Sequence, residues 1–465
     1  MTALLLRGVE LPAGLRDVLI RDESISAIGI ELDARGAEVI DGRGGALLPG
    51  LHDHHLHLHA IAADASSVRC GPPHVRTPDD LARALASAPG NGWIRGVGYV
   101  ETVAGLLDAA ALDRLHAQRP VRLQHRSGAM WILNTQASAL VGLDSAEQPG
   151  VERDDTGRPT GRVWRADAWL RERLPAAGPP ALDTVGADLA RFGVTGVTDA
   201  TPDLPADSMA ALIDAHRSGA LPQRLHLLGA PVNDESHSRP ATVTVGPYKI
   251  VLADSGLPDF DTLTDTIRHS HTRGRPVAVH CVSREALLLL LAVFDHVGTV
   301  PGDRIEHGAL IPAESIDELR RLRLVVVTQP GFLAHRGDDY LDRVETRDLP
   351  DLYRCRSLLD HSVPLALSSD APYGPLDPWA VISAATTRRA PTGDVIGPQE
   401  RITTTEAFDR YLPPLDRPGG PPRTVMVGEP ADLVLLDRSL TDALDTPNAE
   451  SLRCTVIRGR IQYRR

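Results

Sequence analysis

The chain has 465 residues, 42% of them hydrophobic and 24% charged, the make-up of an ordinary globular protein rather than a disordered or fibrous one. Its 61 acidic against 49 basic residues give a formal charge of -12, which supplies no cation excess for phosphate and excludes nucleic acid and anionic membranes as expected partners. The expected partners are a small-molecule substrate and, at most, further copies of the same chain. The apolar run at residues 4–6 is too short for a secretory h-region, and the longest one, 286–294, is about half a membrane span, so a cytoplasmic protein is expected. Cys70, Cys281, Cys355 and Cys454 are widely spaced and form no CxxC pair, which argues against a disulfide framework or a cysteine zinc site.

In chain order, short strand-like runs come first, at 4–9, 18–21 and 25–30. An apolar segment at 46–58 then opens a series of strand candidates that continues at 194–200, 224–230, 248–253, 277–282, 304–309, 324–329 and 364–370. Amphipathic stretches ending in Gly or a polar stop precede several of them, for example 182–192 before Gly193 and 263–273 before Gly274. Apolar strands alternating with helices indicate parallel strands covered on the outside, and eight such units predict a (β/α)8 barrel with its active site at the C-terminal strand ends. No Gly-rich fingerprint follows the first strand, which argues against a doubly wound sheet. The 130 or so residues between the first two strands exceed one crossover, so 63–180 is read as a lid-like insertion. After a Pro-rich connection at 411–423, strand-like runs at 432–436 and 455–463 are expected to join the N-terminal ones in a small β-domain. The predicted organisation is 1–45 with 424–465 as that domain, and 46–423 as the barrel.

The segment Pro49-Gly50-Leu51-His52-Asp53-His54-His55-Leu56-His57-Leu58-His59 places five histidines in eight residues. Alternation along a strand lets His55 and His57 converge on one ion, with His59 further along and His52 and His54 on the other face. Three more strands carry a ligand-type residue, Lys249, His280 and His307, and the last closes on Asp370. The separations of 31, 27 and 63 residues equal one, one and two βα repeats, which predicts that these side chains meet at one height on the barrel rim. Lys249 is also the only lysine in the chain, 48 of the 49 basic residues being arginine. A primary amine can lose its proton and react, whereas a guanidinium cannot.

These motifs, PGLHDHHLH at 49–57, GVTGVTDA at 193–200, VAVH at 277–280, RIEHG at 304–308 and SSDAP at 368–372, resemble those of the metal-dependent amidohydrolase superfamily, specifically its YtcJ-like branch. The resemblance covers nearly the whole chain and implies an α/β fold: a (β/α)8 TIM barrel with a small β-sandwich domain from both termini. It implies that His55, His57 and Asp370 bind one divalent ion and His280 and His307 a second, most simply zinc, with a CO2-derived carbamate on Lys249 bridging the two. It further implies hydrolysis of an amide or other non-peptide C–N bond by a hydroxide held between the ions, with Asp370 as the catalytic proton carrier. Two rival readings stand beside this one: a mononuclear deaminase-type hydrolase, which needs no Lys249, and a non-catalytic scaffold of the same fold.

Substrate contacts are less marked. His125, Arg126 and Arg165 are candidate partners for a substrate carboxylate, unless the arginines pair with acids of the insertion such as Asp154, Asp155 or Asp167. Trp131, Trp164, Tyr340 and Tyr373 are candidate pocket aromatics, although an isolated aromatic is more often core. The family often reads Ala-Asp-Gly-Ser after its lysine, where this chain has Leu252-Ala253-Asp254-Ser255-Gly256.

Overall fold

The helices that flank the strands have sequence-encoded ends. Phe260–Thr272 starts at Asp259, whose side chain accepts from Thr262 N, and stops before Gly274 at φ +69. Arg284–Val297 starts at Ser283, which accepts from Ala286 N, and stops at Gly298; it buries Leu287, Leu290, Leu291 and Phe294 along one face. The computed structural model describes residues 3–175, 179–233, 239–253 and 256–465. Asp254 and Ser255, in the stretch where the chain departs from the family's pattern, lie outside the described residues. The chain divides into two compact units, Met1–His59 with Ala181–Arg465, and Ala60–Pro180.

In the first unit, Leu51–Leu56, Val194–Asp199, Arg224–Leu227 and Val243–Val245 form one parallel sheet, each strand pairing with the next. Tyr248–Val251, Val277–Cys281, Arg304–His307, Val325–Thr328 and Leu365–Leu367 form a second. Only Gly246 and Pro247 separate Val243–Val245 from Tyr248–Val251. Across that gap Gly246 N donates to Leu227 O at 2.9 Å, and Tyr248 N to Pro276 O at 2.7 Å. The other two edge strands also meet: Asp370 N donates to His55 O at 2.8 Å and His57 N to Ala371 O at 2.9 Å. With 243–251 taken as one interrupted strand, the described residues give eight parallel strand positions.

Two predicted runs are corrected. The segment 46–58 is not one strand: Leu47–Pro49 pairs antiparallel with Leu433–Leu436, the chain turns at Gly50, and only Leu51–Leu56 joins the parallel sheet. A Cβ on Gly50 would lie 2.1 Å from Thr195 Cγ2, so the crossing requires glycine. The run 455–463 is a hairpin of Leu452–Ile457 and Arg460–Arg464, turning through Arg458 and Gly459 at φ +52 and +71. The remaining strands of this unit form a four-stranded sheet from Ala3–Leu11, Gly14–Arg21, Ser24–Gly29 and Ala37–Asp41, and a second in which Leu47–Pro49 joins the three C-terminal strands. One hydrophobic cluster draws on both, with Leu4, Leu6, Val18 and Ile20 beside Leu433, Leu435, Cys454 and Val456.

The second unit has a sheet of its own, in the order Val151–Arg153, Pro159–Trp164, Met130–Leu133, Val121–His125, Ile94–Tyr99 and Val68–Arg69. Helix Pro78–Ala86 enters through a capping box between Thr77 and Asp80. Two apolar clusters fill the unit, one around Leu81, Leu112 and Leu123, the other around Trp131, Leu133 and Leu170.

Candidate metal centre

Strand Leu51–Leu56 is buried along its whole length and delivers His55 at its end, with His57 one step beyond. The described residues contain one cluster of metal-ligand type within a common radius: one atom each of His55, His57 and Asp370, all within 4.8 Å of one another. His57 Nε2 stands 3.2 Å and His55 Nε2 3.5 Å from Asp370 Oδ1. Yet His55 Nε2 and Asp370 Oδ1 are both buried without a hydrogen-bond partner. Leaving such atoms unmet is costly, and a cation among them satisfies all three at once. Burial, followed by the charges of Lys249 and His57, holds the His55 imidazole well below its usual pKa, so it is neutral, the form that ligates metal.

The other expected ligands adjoin this cluster. The His307 ring lies 4.7 Å from that of His55 and 4.4 Å from that of His280, centroid to centroid. His307 is also held neutral, chiefly by burial and then by His280 and His55. Lys249 Nζ is buried with no hydrogen-bond partner. Burial lowers its pKa to about 8, against the opposing pull of Glu306 and Asp370. The expectation of one common height fails by two residues. Lys249 pairs in register with Ala278, and it is Val251 that pairs with His280, so Lys249 starts one side-chain repeat lower on its strand. Its long stem suits that deeper start, where a shorter side chain would end below the imidazoles. His59 departs from the expected row as well: the strand ends at Leu56, His59 falls in helix Leu58–Ala65, and its Nε2 meets Ser208 O at 3.0 Å.

His307 and Asp370 both have left-handed backbones, at φ +73 and +51. A non-glycine residue keeps that conformation only where its surroundings impose it, and here two candidate ligands do so at the ends of two strands of one sheet. The orienting contacts come from residues that were not singled out from the sequence. Glu306 accepts from His55 Nδ1 and from Arg304 Nε, the latter at 2.5 Å. His57 Nδ1 meets Thr201 Oγ1 at 3.2 Å. His307 Nδ1 meets Gln329 Oε1 at 3.0 Å, and Gln329 Nε2 donates to Ser368 Oγ at 2.9 Å. With Nδ1 engaged, His55 and His57 present Nε2 toward Asp370. Asp53 Oδ1 accepts from His55 N at 3.1 Å and Ser369 N at 3.2 Å, tying the first strand to the last; burial raises its pKa to about 7. The sequence signal for Glu306 was its place inside RIEHG; for Thr201 and Gln329 it was a polar residue just past an apolar strand.

Among the candidate substrate residues, Tyr373 stands against the cluster, its ring 5.7 Å from that of His57, edge to face. Tyr340 also lies in the first unit, and His125, Arg126, Trp131, Trp164 and Arg165 belong to the second. His125 Nδ1 meets Ser127 Oγ at 2.7 Å and Nε2 meets Glu101 at 3.4 Å. Arg126 N donates to Tyr99 O at 2.8 Å, and Arg165 is exposed at φ +47. Trp131 is a core residue of that unit, 5% exposed, with Arg95 and Arg122 over its ring and its indole N donating to Asp167 at 2.8 Å. Asp167 is thereby engaged by Trp131, while Asp154 closes its own turn through Thr156 N and Arg158 N.

Residues 38–463 match the profile of the Amidohydrolase family, Amidohydro_3. The chain belongs to this family. Among its relatives, the putative amidohydrolase YtcJ of Bacillus subtilis (strain 168) is 25% identical over 80% of each chain. The N-substituted formamide deformylase of Arthrobacter pascens is 24% identical over 96% of this chain and 95% of its own. Among solved structures, an uncharacterized metal-dependent hydrolase from Pyrococcus horikoshii OT3 superposes with a TM-score of 0.75 at 19% identity, over 94% of this chain and 98% of the other. The last of these is a likeness of fold.

Proposed function

We propose that this amidohydrolase is a binuclear metal enzyme that hydrolyses an amide, formamide or related non-peptide C–N bond of a small molecule. The observation that carries the reading is the set of buried, unpartnered polar atoms, His55 Nε2, Asp370 Oδ1 and Lys249 Nζ, in one pocket of neutral imidazoles. The eight parallel strand positions and the two four-stranded sheets of the first unit support a (β/α)8 barrel with a terminal β-sandwich, organised as 1–45 with 424–465 and 46–423. The kinship with a formamide deformylase supports the bond type.

In this reading His55, His57 and Asp370 would hold one divalent ion and His280 and His307 the other, with Lys249, as a carbamate, a further ligand. Nitrogen and carboxylate donors suit zinc. When bound, the ions supply Lewis acidity toward a carbonyl oxygen and toward water. Lys249 suits carbamate formation because its amine lies away from solvent with a lowered pKa; the neutral nitrogen bonds to the carbon of CO2 and gives up one proton. The Asp370 carboxylate takes a proton from the attacking water and returns it to the departing nitrogen. Tyr373 covers His57 and contacts substrate.

The test is elemental analysis of protein purified with bicarbonate, alongside turnover of N-formyl, N-acyl, cyclic imide and lactam compounds. Two metal equivalents per chain, falling to one in Lys249→Ala, are expected. Full metal content in that variant favours the mononuclear deaminase-type reading, and metal-free, inactive protein favours the scaffold.

A further inference from the structure

Helix Gly331–Arg343 follows strand Val325–Thr328 and is broken at Arg336, whose φ of -146 and ψ of 28 are not helical. The break lies beside the metal centre. A Cβ on Gly374, just past Asp370, would come within 3.3 Å of Phe332 Cε1, so the first turn of this helix packs on the segment leaving the last strand. From the other side, Tyr353 N donates to Ala309 O at 2.9 Å, two residues beyond His307. Tyr340 and Tyr353 join through their hydroxyls at 2.7 Å, and both belong to one cluster with Phe332, Ala309 and Tyr373. Arg336 lies over the Phe332 ring at 4.0 Å and keeps its Nε buried with no partner. The charge of Asp370 acts on both Arg336 and Tyr353.

A guanidinium with an unmet buried donor is poorly placed beside a centre that gathers divalent cations, unless an anion joins it there. Two hydroxyls bonded to each other have one proton left to donate outward, which adds a neutral donor next to the planar fork. We infer that Arg336, aided by the Tyr340–Tyr353 pair, binds the carboxylate of an acidic substrate, so that the enzyme acts on amides whose amine or acyl part carries a carboxylate. This rests on the hydrolytic reading above for the bond cleaved, and on the cluster alone for the carboxylate. It places recognition on the unit that holds the metal ligands rather than at Arg126 or Arg165.

The experiment measures binding and turnover separately, with N-acetylglycine and its neutral counterpart N-acetylglycinamide as probes of the metal-loaded full chain. By calorimetry the wild type is expected to bind the acid at least about tenfold more tightly than the amide. Arg336→Gln abolishes that preference, Tyr340→Phe reduces it, and Arg126→Gln leaves it unchanged, with metal content and melting temperature as controls on folding. Equal binding of both probes by the wild type overturns the inference, as does a preference that survives Arg336→Gln or disappears with Arg126→Gln. A preference governed by Arg336 in a protein that hydrolyses no C–N substrate overturns the hydrolytic reading and leaves the carboxylate site standing.

Discussion

Glu306 shows how much of the centre depends on a residue that binds no ion in the proposed arrangement. Fully buried, it accepts from His55 Nδ1 and from Arg304 Nε, and so fixes one imidazole while neutralising one guanidinium. Partners of this kind usually govern metal affinity by about 10- to 100-fold. Glu306→Gln, which keeps the shape and loses the charge, is expected to weaken zinc by that order in a chelator competition. Glu306→Ala also strands Arg304 and should cost about 3–5 kcal/mol in urea unfolding. The ligand-type residues were legible in the sequence because each ends or follows an apolar run, a position where a polar side chain needs a reason. Thr201 and Gln329 also follow apolar runs, but only the folded chain brings them to the Nδ1 atoms of His57 and His307. Arg336 was missed on the same ground: in sequence it is one arginine of many.

A second prediction at this scale concerns acid stability. Burial, with the charges of Arg304 and Arg275, holds His226 at about 3, below its usual 6.5. Between those values the unfolded chain binds the proton and the folded one resists it, so stability is full above about 6.5 and is lost as pH falls toward 3. The urea midpoint should decline over that range, and His226→Asn should make the decline shallower. An unchanged slope in the variant would show that other buried groups set the acid limb.

Among the elements, the interrupted strand at 243–251 is where local sequence and tertiary packing constrain each other most closely. Pro247 offers no N–H to a ladder, and Gly246 fits because a Cβ there would lie 2.4 Å from His226 Nε2 and 2.7 Å from Leu228 Cδ2. The break frees the strand to pair with Arg224–Leu227 before it and with Val277–Cys281 after it. Gly246→Ala is therefore expected to destabilise the protein by about 1–3 kcal/mol, read as a lower urea midpoint at constant slope. The apolar runs forecast most of these strands to within a few residues. What they could not show is stagger: equal sequence spacing does not mean equal height once each strand is offset against the next, and the two-residue lag of Lys249 is invisible until the register is seen.

For the molecule as a whole, the sequence carried less about residues 60–180 than about the rest. The long gap between strand candidates marked an insertion, but strands as short as Val68–Arg69 and Val151–Arg153 give too little periodicity to reveal a sheet. The structure gives this unit six paired strands and two apolar clusters built from its own side chains, with Leu81, Leu112, Leu123, Ile132 and Leu133 fully buried. About 120 residues is enough for an independent core. A fragment of residues 60–180 is thus expected to fold alone, with a single cooperative thermal transition followed by circular dichroism and fluorescence from buried Trp131. The Trp131→Phe fragment should remain folded but melt lower, because Asp167 loses its indole donor and Arg95 and Arg122 lose the larger ring between them. A fragment with no cooperative transition would show that this core, although built from local residues, forms only in the intact chain.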